Sequence, residues 1–199
     1  MKNLVAIIVL FLSVSLAHAQ SENDKNKVYI NPKIGLHFAS LSTETAEQGN
    51  RVGMNVGMDV LIKSSKKSWF FWQPGLHYYR TGAQLVHQGT TQQEMDNQVY
   101  FNTLKAPISG GMYLTGSDGL LRIRVNAGIT PTLLLGVQEN EYGLSREEFR
   151  GATLGINGGI GIEVLIVTLE LNYEHGITPM MTGNEGTNQM FSISAGLRF

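Results

Sequence analysis

The sequence predicts an all-β fold: an antiparallel up-and-down transmembrane β-barrel of about eight strands. Three observations lead to this prediction. Apolar and polar side chains alternate with a period of two in eight segments, aromatic residues gather near the ends of these segments, and long connections alternate with short ones. Alternation of this kind turns one row of side chains toward lipid and the next toward a lumen, as in outer-membrane barrels.

The first 19 residues predict a cleaved signal peptide. Lys2 supplies a positive charge, residues 4–17 form an apolar run, and Ala17-His18-Ala19 has the small-x-small form of a signal-peptidase site. The run is shorter than the roughly 20 residues that a membrane-spanning helix needs. Residues 20–199 are therefore expected to form one barrel domain in the cell outer membrane.

Composition excludes several classes of protein. The chain contains no cysteine, which rules out both a lipid-modified cysteine and a disulfide framework. Its formal net charge is -1, and a balance of this kind does not provide the basic face that nucleic acid requires. The glycines between Gly155 and Gly161 precede neither a helix nor a Lys-Ser/Thr pair, so they do not indicate a phosphate loop. No cofactor is expected.

Eight segments carry the alternation. In the first segment, Val28, Ile30 and Ile34 share one face, while Lys33 and His37 share the other. An even number of such segments is typical of single-chain bacterial outer-membrane barrels. The predicted strands are residues 28–39, 51–62, 70–79, 103–114, 121–135, 152–164, 167–174 and 191–199.

The polar faces of these strands combine charges of both signs with many of the 23 glycines. A soluble β-sandwich also alternates, but its water-exposed faces are expected to carry more Lys, Ser and Thr and fewer glycines. The interior of an eight-stranded barrel is only wide enough for side chains to fill it. We therefore predict a lumen plugged by side chains, with a structural polar network of Lys33, Arg51, Asp59, Lys105, Arg122, Arg124, Glu163, Glu170, Glu174 and Arg198.

Aromatic residues predict a girdle at each membrane interface. One predicted girdle contains Tyr29, Trp69, Phe70, Trp72, Tyr113 and Phe199. The other contains Phe38, Tyr78, Tyr79, Tyr100, Phe101, Phe149 and Phe191. With the amino terminus in the periplasm, the outer connections are predicted at 40–50, 82–97, 136–148 and 179–187. The short inner connections are predicted at 63–68, 115–119 and 165–166.

Two features oppose the barrel interpretation. Proline lacks the ladder donor, and a closed barrel has no edge strand to accommodate it, so bulges or strand ends are expected to absorb the prolines inside predicted strands. The tight turn near Leu165 also lacks the Gly, Asn or Asp that two-residue hairpins favour. The prolines concerned are Pro32, Pro74, Pro107 and Pro131.

Several of these segments resemble the PorT-like outer-membrane β-barrel family. Residues 72–79, WQPGLHYY, are similar to the family's QPxLxY strand, and residues 104–108, LKAPI, to its LxxPL strand; residues 158–163 and 191–199 are similar to its late strands. The resemblance implies the barrel fold, and some members of the family are needed for secretion across the outer membrane. It also implies that the terminal Phe199 is an assembly signal for the barrel-assembly machinery.

No catalytic constellation is recognisable in the sequence. His37 and His77 are predicted to face the lumen, His87 lies in an outer connection, and His175 ends the seventh strand, none of them at a recognisable spacing from Ser or Asp. An acidic cluster in the third outer connection has no EF-hand spacing and is interpreted as a solvated loop. It consists of Glu139, Glu141, Glu147 and Glu148.

The leading functional prediction is therefore a non-enzymatic barrel of structural or interaction type. It is surrounded by outer-membrane lipid, and its external loops contact a protein partner. One alternative is a PorT-like accessory component of protein secretion. The other alternative is an outer-membrane hydrolase with a loop-borne site.

Overall fold

The computed structural model describes residues 27–43, 46–47, 51–65, 67–84, 98–116, 119–137, 150–179 and 187–199. The predicted signal peptide lies outside these residues, as do His87, the acidic cluster and most of the predicted outer connections at 82–97, 136–148 and 179–187. Within the described ranges, no helix has the length and apolarity needed to cross a membrane.

Ten strands form one antiparallel sheet. Strands β5 and β6 follow one another along the same line, since both pair with β4 on one side and with β7 on the other. Strand β2 pairs with β1 as a two-residue extension. The sheet is therefore a closed barrel of eight strands, as predicted. The strands are β1 Lys27–Thr43, β2 Ala46–Glu47, β3 Arg51–Lys63, β4 Phe70–Gln84, β5 Gln98–Lys105, β6 Ile108–Tyr113, β7 Leu121–Val137, β8 Ala152–Val164, β9 Val167–Gly176 and β10 Thr187–Leu197.

Pairing of β1 with β10 closes the barrel. The register begins with Lys33 opposite Gly196. Beyond it, Ile30 N–H donates to the carbonyl oxygen of Phe199 over 3.0 Å, and Phe199 N–H donates back over 2.9 Å. Pro32 has the same parity as Ile30, so its missing N–H also faces β10. The absent donor thus falls at the end of the regular β1–β10 ladder.

The other three prolines lie on neighbouring strands. Pro107 interrupts the fourth strand of the barrel between β5 and β6. Its carbonyl oxygen accepts a hydrogen bond from Gly75 N–H over 2.8 Å, and Ala106 N–H donates to Pro131 O over 2.9 Å. A strand break absorbs Pro107, as expected, whereas Pro74 and Pro131 remain inside β4 and β7.

The connection between β8 and β9 is the two-residue turn Leu165–Ile166, closed by Val164 opposite Val167. The predicted position is correct. Leu165 has a φ of 54°, a left-handed conformation that costs about 1 to 3 kcal/mol in a residue with a Cβ. Its N–H donates to Leu120 O over 2.9 Å, which ties the turn to the neighbouring connection.

Several strands extend further than predicted at the end of the barrel that carries the outer connections, termed the loop end; the opposite end is termed the turn end. Strand β4 reaches Gln84 and β5 begins at Gln98, which is its partner. The apolar pattern stops earlier because the outward residues become polar. Asn102, for example, points outward, and its Oδ1 accepts a hydrogen bond from the Tyr78 hydroxyl over 2.8 Å. Backbone pairing continues through these residues because it does not depend on the polarity of the side chains.

The two faces of the wall differ in character. Apolar side chains are exposed on the outside and polar side chains are buried inside. The predicted girdles are partly wrong, because four of their aromatic residues stand at the inward positions of their strands. These are Tyr29, Tyr79, Phe101 and Tyr113. The girdle residues that do point outward are Trp69, Phe70, Trp72 and Phe199 toward the turn end, and Phe38, Tyr78 and Phe191 toward the loop end. The side chains of Tyr100 and Phe149 lie outside the description.

Candidate functional site: the polar interior

Nine of the ten predicted lumen side chains are described, and all nine point inward. Arg198 is partly buried, and the other eight are 8% exposed or less. Arg51 lies at the start of β3 opposite Ala39, but its side chain is outside the description. The eight buried residues are Lys33, Asp59, Lys105, Arg122, Arg124, Glu163, Glu170 and Glu174.

Toward the turn end, three guanidinium groups surround the carboxylate of Glu163, which is fully buried. Arg122 Nε donates to Oε2 over 2.9 Å, and Arg198 Nη1 lies 3.0 Å from the same oxygen. Arg124 Nε lies 3.0 Å from Oε1, and Tyr113 OH donates to Oε1 over 3.4 Å. These contacts satisfy a charge that would be costly to bury alone.

A second cluster occupies the middle of the barrel around Glu170. Lys33 Nζ donates to Glu170 Oε2 over 2.7 Å, and Arg124 Nη2 donates to the same oxygen. Asn172 Nδ2 donates to Oε1 over 2.5 Å. Because Arg124 contacts both Glu163 and Glu170, it joins this cluster to the one at the turn end.

Asp59 completes the central cluster. It accepts hydrogen bonds from Gln73 Nε2 over 2.7 Å and pairs with His77 Nε2 at 2.6 Å. Lys33 Nζ forms an ion pair with Asp59 Oδ2, the oxygen that also accepts from Gln73, while His77 contacts Oδ1. Gln73 also approaches Glu170 Oε2 at 3.5 Å. Strands β4 and β9, which carry these last two residues, lie opposite one another, so the network spans the width of the barrel.

The loop half of the interior is less densely charged. Lys105 Nζ donates to Glu174 Oε1 over 2.6 Å and lies 5.1 Å from the ring centroid of Tyr79. His37 Nε2 and Thr81 Oγ1 are 2.7 Å apart. Hydroxyl groups cover much of the remaining wall, from Thr81, Thr103, Thr132, Thr153 and Thr178.

Two small cavities remain between these groups. The central one has a volume of about 50 Å³ and the one toward the loop end about 40 Å³. Lys105, Glu174 and Met190 line both cavities. These volumes accommodate only a few water molecules, and the ion pair of Lys105 with Glu174 separates one cavity from the other.

Inward glycines provide space for the charged side chains. A Cβ added to Gly161 would lie 2.8 Å from Arg124 Nε, and a Cβ on Gly159 would lie 2.5 Å from Asn172 Oδ1. A Cβ on Gly75 would collide with Asp59. Gly155, Gly159 and Gly161 thus relieve crowding in the lumen, whereas Gly158 points outward.

Sequence reasoning missed several members of the interior. Lys63 is buried with its Nζ 4.9 Å from the ring centroid of Tyr113. Gln73 has the parity of the predicted lumen residues, and that parity was the available signal for it. His77 was predicted to face the lumen, but its pairing with Asp59 was not predicted. The missed His77–Asp59 pair joins residues on β4 and β3 that have no motif spacing.

This arrangement is suited to holding the barrel wall together and shows no catalytic geometry in the described part of the chain. His77 Nε2 is hydrogen-bonded to the carboxylate of Asp59. The other ring nitrogen of His77, Nδ1, faces the backbone of Gly57. The described residues contain no group of three or more His, Cys, Asp or Glu side chains that could hold a metal ion.

Comparison with known proteins gives one sequence family and a set of similar structures. The profile of the outer membrane protein β-barrel domain matches residues 6–199. No curated protein sequence gives a significant match. Ail, the attachment invasion locus protein of Yersinia pestis, was solved in complex with the heparin analogue sucrose octasulfate. It is 11% identical with a TM-score of 0.54, and the match covers 87% of this chain and 99% of Ail.

Neisserial surface protein A, NspA, gives a similar match. It is 12% identical with a TM-score of 0.53, and the match covers 87% of this chain and 99% of NspA. At such low identity, both matches are evidence for the fold alone.

Proposed function

The chain belongs to the outer membrane protein β-barrel family, and on that premise we propose that it is an integral barrel with a side-chain-plugged lumen that acts through contacts of its loop end. Its location is the outer membrane. The observation that carries the proposal is the interior network, in which Gln73 and Glu170 meet from opposite walls. Such a network leaves the loop end as the part free to interact.

Conductance tests the plug. We expect the purified protein to give no steady single-channel current in planar lipid bilayers, because the two interior cavities are small and separated by Lys105 and Glu174. A Lys105→Ala/Glu174→Ala variant joins the two cavities, but the Gln73–Glu170 network still spans the barrel, so we expect this variant to stay closed as well. Steady current through the unaltered protein contradicts the plug.

The chemistry of the loop end narrows the choice of partner. Residues 138–149 contain four Glu and one Arg, an acidic surface that attracts cationic groups and repels polyanions. The heparin analogue bound by Ail is therefore a poor guide to this chain. We propose a protein partner with a basic surface.

Crosslinking in intact cells tests the loop proposal. Residues 85–97 are the best segment to delete, with an Asn-Gly turn put in their place, because Gln84 and Gln98 are paired and a two-residue turn can close the ladder there. We expect the deletion, or a second deletion within 138–149, to remove specific crosslinks while the heat-dependent gel shift of the folded barrel remains. If every crosslinked partner persists in both deletion variants, the loop proposal is wrong.

The PorT-like role in secretion is the second candidate, supported by the similarity of residues 72–79 and 104–108 to that family's strands. A null mutant is then expected to retain secreted cargo inside the cell. Normal export of all cargo eliminates this role.

We propose that the chain is not an enzyme. His37 and His77 are engaged with Thr81 and Asp59 inside the barrel, and His175 belongs to β9. His87, in a predicted outer connection, is therefore the residue to test for a loop-borne hydrolase. We expect no turnover of lipid or peptide substrates. Turnover that disappears in His87→Ala contradicts this proposal.

Export and assembly are proposed to follow the sequence signals. The mature protein is expected to begin at Gln20, which amino-terminal sequencing checks. Phe199 has an exposed side chain, and Phe199→Ser is expected to slow assembly by the barrel-assembly machinery, measured as the rate at which the heat-modifiable form accumulates.

A further inference from the structure

Two outward glycines are not required by the packing of the barrel. On the inward face, a Cβ on Gly161 would crowd Arg124 Nε at 2.8 Å. On the outward face, a Cβ on Gly110 would meet only the Trp72 ring, at 3.7 Å, and a Cβ on Gly158 only a backbone oxygen, at 3.8 Å. These are ordinary van der Waals distances. Larger residues would therefore fit, and the absence of side chains here needs another explanation.

Both glycines belong to a row of small outward residues that crosses neighbouring strands. The register places Trp72 beside Gly110, Gly110 beside Ala127, Ala127 beside Gly158 and Gly158 beside Tyr173. Three small residues thus lie between two exposed aromatic side chains. Four strand spacings separate the aromatic residues, or about 19 Å.

Bulky side chains border this row on both sides. The depression over Gly110, Ala127 and Gly158 is termed the notch. Around Gly110 it has a volume of about 580 Å³, within the range of roughly 300 to 1,000 Å³ typical of small-molecule sites. Its walls there include Phe70, Trp72, Met112 and Val125. In register with them, Ile160 and Leu171 continue the wall on the turn side, and Ile108, Ile129 and Ile156 form the wall on the loop side.

The notch runs obliquely from the turn end toward the middle of the barrel wall. Trp72 is the third residue of β4, whereas Ala127 is the seventh of β7 and Tyr173 the seventh of β9. Seven residues of strand extend about 23 Å. The notch therefore leads from the level of the aromatic residues at the turn end into the apolar zone.

An exposed lysine lies in the turn that precedes β4. Lys67 is five residues before Trp72 along the chain. Ser68 Oγ donates to Phe70 O over 2.8 Å and Ser68 N–H donates to Ser65 O over 3.2 Å, so the turn is held against the start of β4. A lysine beside interfacial aromatic residues suits the phosphate of a lipid headgroup.

We propose that the notch binds an acyl chain of a phospholipid of the periplasmic leaflet, with its phosphate near Lys67. This proposal rests on the orientation within the proposed function, which places the turn end in the periplasm. An outer-membrane barrel is surrounded by lipid, and an unfilled depression would lose dispersion contacts. A flexible acyl chain can follow an oblique, irregular groove and restore those contacts.

A second copy of the chain fits the notch less well. A two-fold dimer places the same patch of both subunits together. Two concave surfaces would then face each other over Ala127 and leave a void between them, which close packing disfavours.

Tryptophan fluorescence offers a direct test, because the only tryptophans of the chain, Trp69 and Trp72, lie at the notch. The Trp69→Phe variant leaves Trp72 as the sole reporter. The probe is phosphatidylglycerol with brominated acyl chains, titrated into detergent micelles that contain the folded protein. We expect quenching to saturate at low lipid content, and unbrominated phosphatidylglycerol to reverse it.

Two alanine-to-leucine substitutions distinguish binding in the notch from general contact between lipid and the barrel wall. Ala127→Leu fills the notch, whereas Ala195→Leu changes an outward alanine of β10 between Ile34 and Leu169. We expect the first variant to lose saturable quenching and the second to keep it. Lys67→Ala is expected to weaken binding about fivefold through loss of one charge contact.

Two results would overturn the proposal. One is quenching that rises linearly with the mole fraction of brominated lipid and is equal in Ala127→Leu and Ala195→Leu. The other is displacement of the probe by lipopolysaccharide but not by unbrominated phosphatidylglycerol, which assigns the notch to the opposite leaflet. The first result leaves the plug and the loop contacts standing, whereas the second also reverses the orientation on which the external loop contacts depend. The conductance test of the plug is independent of both results.

Discussion

The interior of the barrel is organised differently in its two halves. In the turn half, Glu163 and Glu170 share the guanidinium of Arg124, and the buried apolar cluster of Leu61, Phe71 and Tyr113 packs nearby. In the loop half, the ion pair of Lys105 and Glu174 borders two cavities and a wall rich in threonine. The turn half is therefore expected to set the stability of the barrel, and the loop half to tolerate change near the proposed interaction surface.

The largest expected effect comes from Arg124→Met. This change removes the shared partner of two buried carboxylates, and breaking a buried ion pair in this way costs about 3 to 5 kcal/mol. Urea titration of the protein in lipid vesicles, followed by tryptophan fluorescence, measures the free energy of unfolding.

Lys105→Met is the matched change in the loop half. Glu174 then faces a cavity that can admit water, and we expect a loss of about 1 to 3 kcal/mol. Equal losses in the two variants would remove the distinction between the halves.

Substitution of inward glycines tests the same difference in stability between the two halves, with a smaller expected loss than in Arg124→Met. Gly161→Ala places a Cβ 2.8 Å from Nε and 3.1 Å from Cγ of Arg124, which the ion pairs hold in place, and we expect a cost of about 1 to 3 kcal/mol. In Gly155→Ala, the nearest atoms are His175 O at 3.1 Å and Glu174 Cγ at 3.2 Å. The loss there is expected to be below about 1 kcal/mol. The same urea titration checks both values, and a larger loss at Gly155 contradicts the comparison.

A small gain in stability is expected at the turn end. Leu165→Asn puts a residue that tolerates the left-handed region at the position with φ of 54°. We expect the free energy of unfolding to rise by about 1 kcal/mol. Ile166→Asn, at the next position of the turn, is the control and is expected to give no gain. If both variants gain equally, relief of backbone strain is not the cause.

Parity explains why the sequence predicted so much of the interior. A strict period of two assigns Lys33, Asp59 and Arg124 to the inward face without knowledge of any partner. Partners depend on register and on the stagger of the strands around the barrel. Arg122 lies directly opposite Glu163 in the β7–β8 ladder, but Arg124 reaches Glu170 across β8, and no local pattern encodes that contact.

The same reasoning explains what the sequence analysis missed. Tyr79 was assigned to a girdle because it follows Tyr78 near a strand end, yet its parity is that of His77. The notch also left a trace in the sequence. The outward series in β6 and β8 are interrupted at Gly110 and Gly158, and the register places each of these glycines beside Ala127 of β7.

The seam between β1 and β10 has a consequence for the order of folding. Neighbouring strands elsewhere in the barrel are successive in the chain, whereas this pairing joins the start of the described chain to its finish. Contacts between such distant segments form late and slow folding. Until they form, an immature sheet carries two unpaired edges that can recruit other chains. The newly exported polypeptide thus depends on shielding from self-association up to the moment when its last strand meets its first.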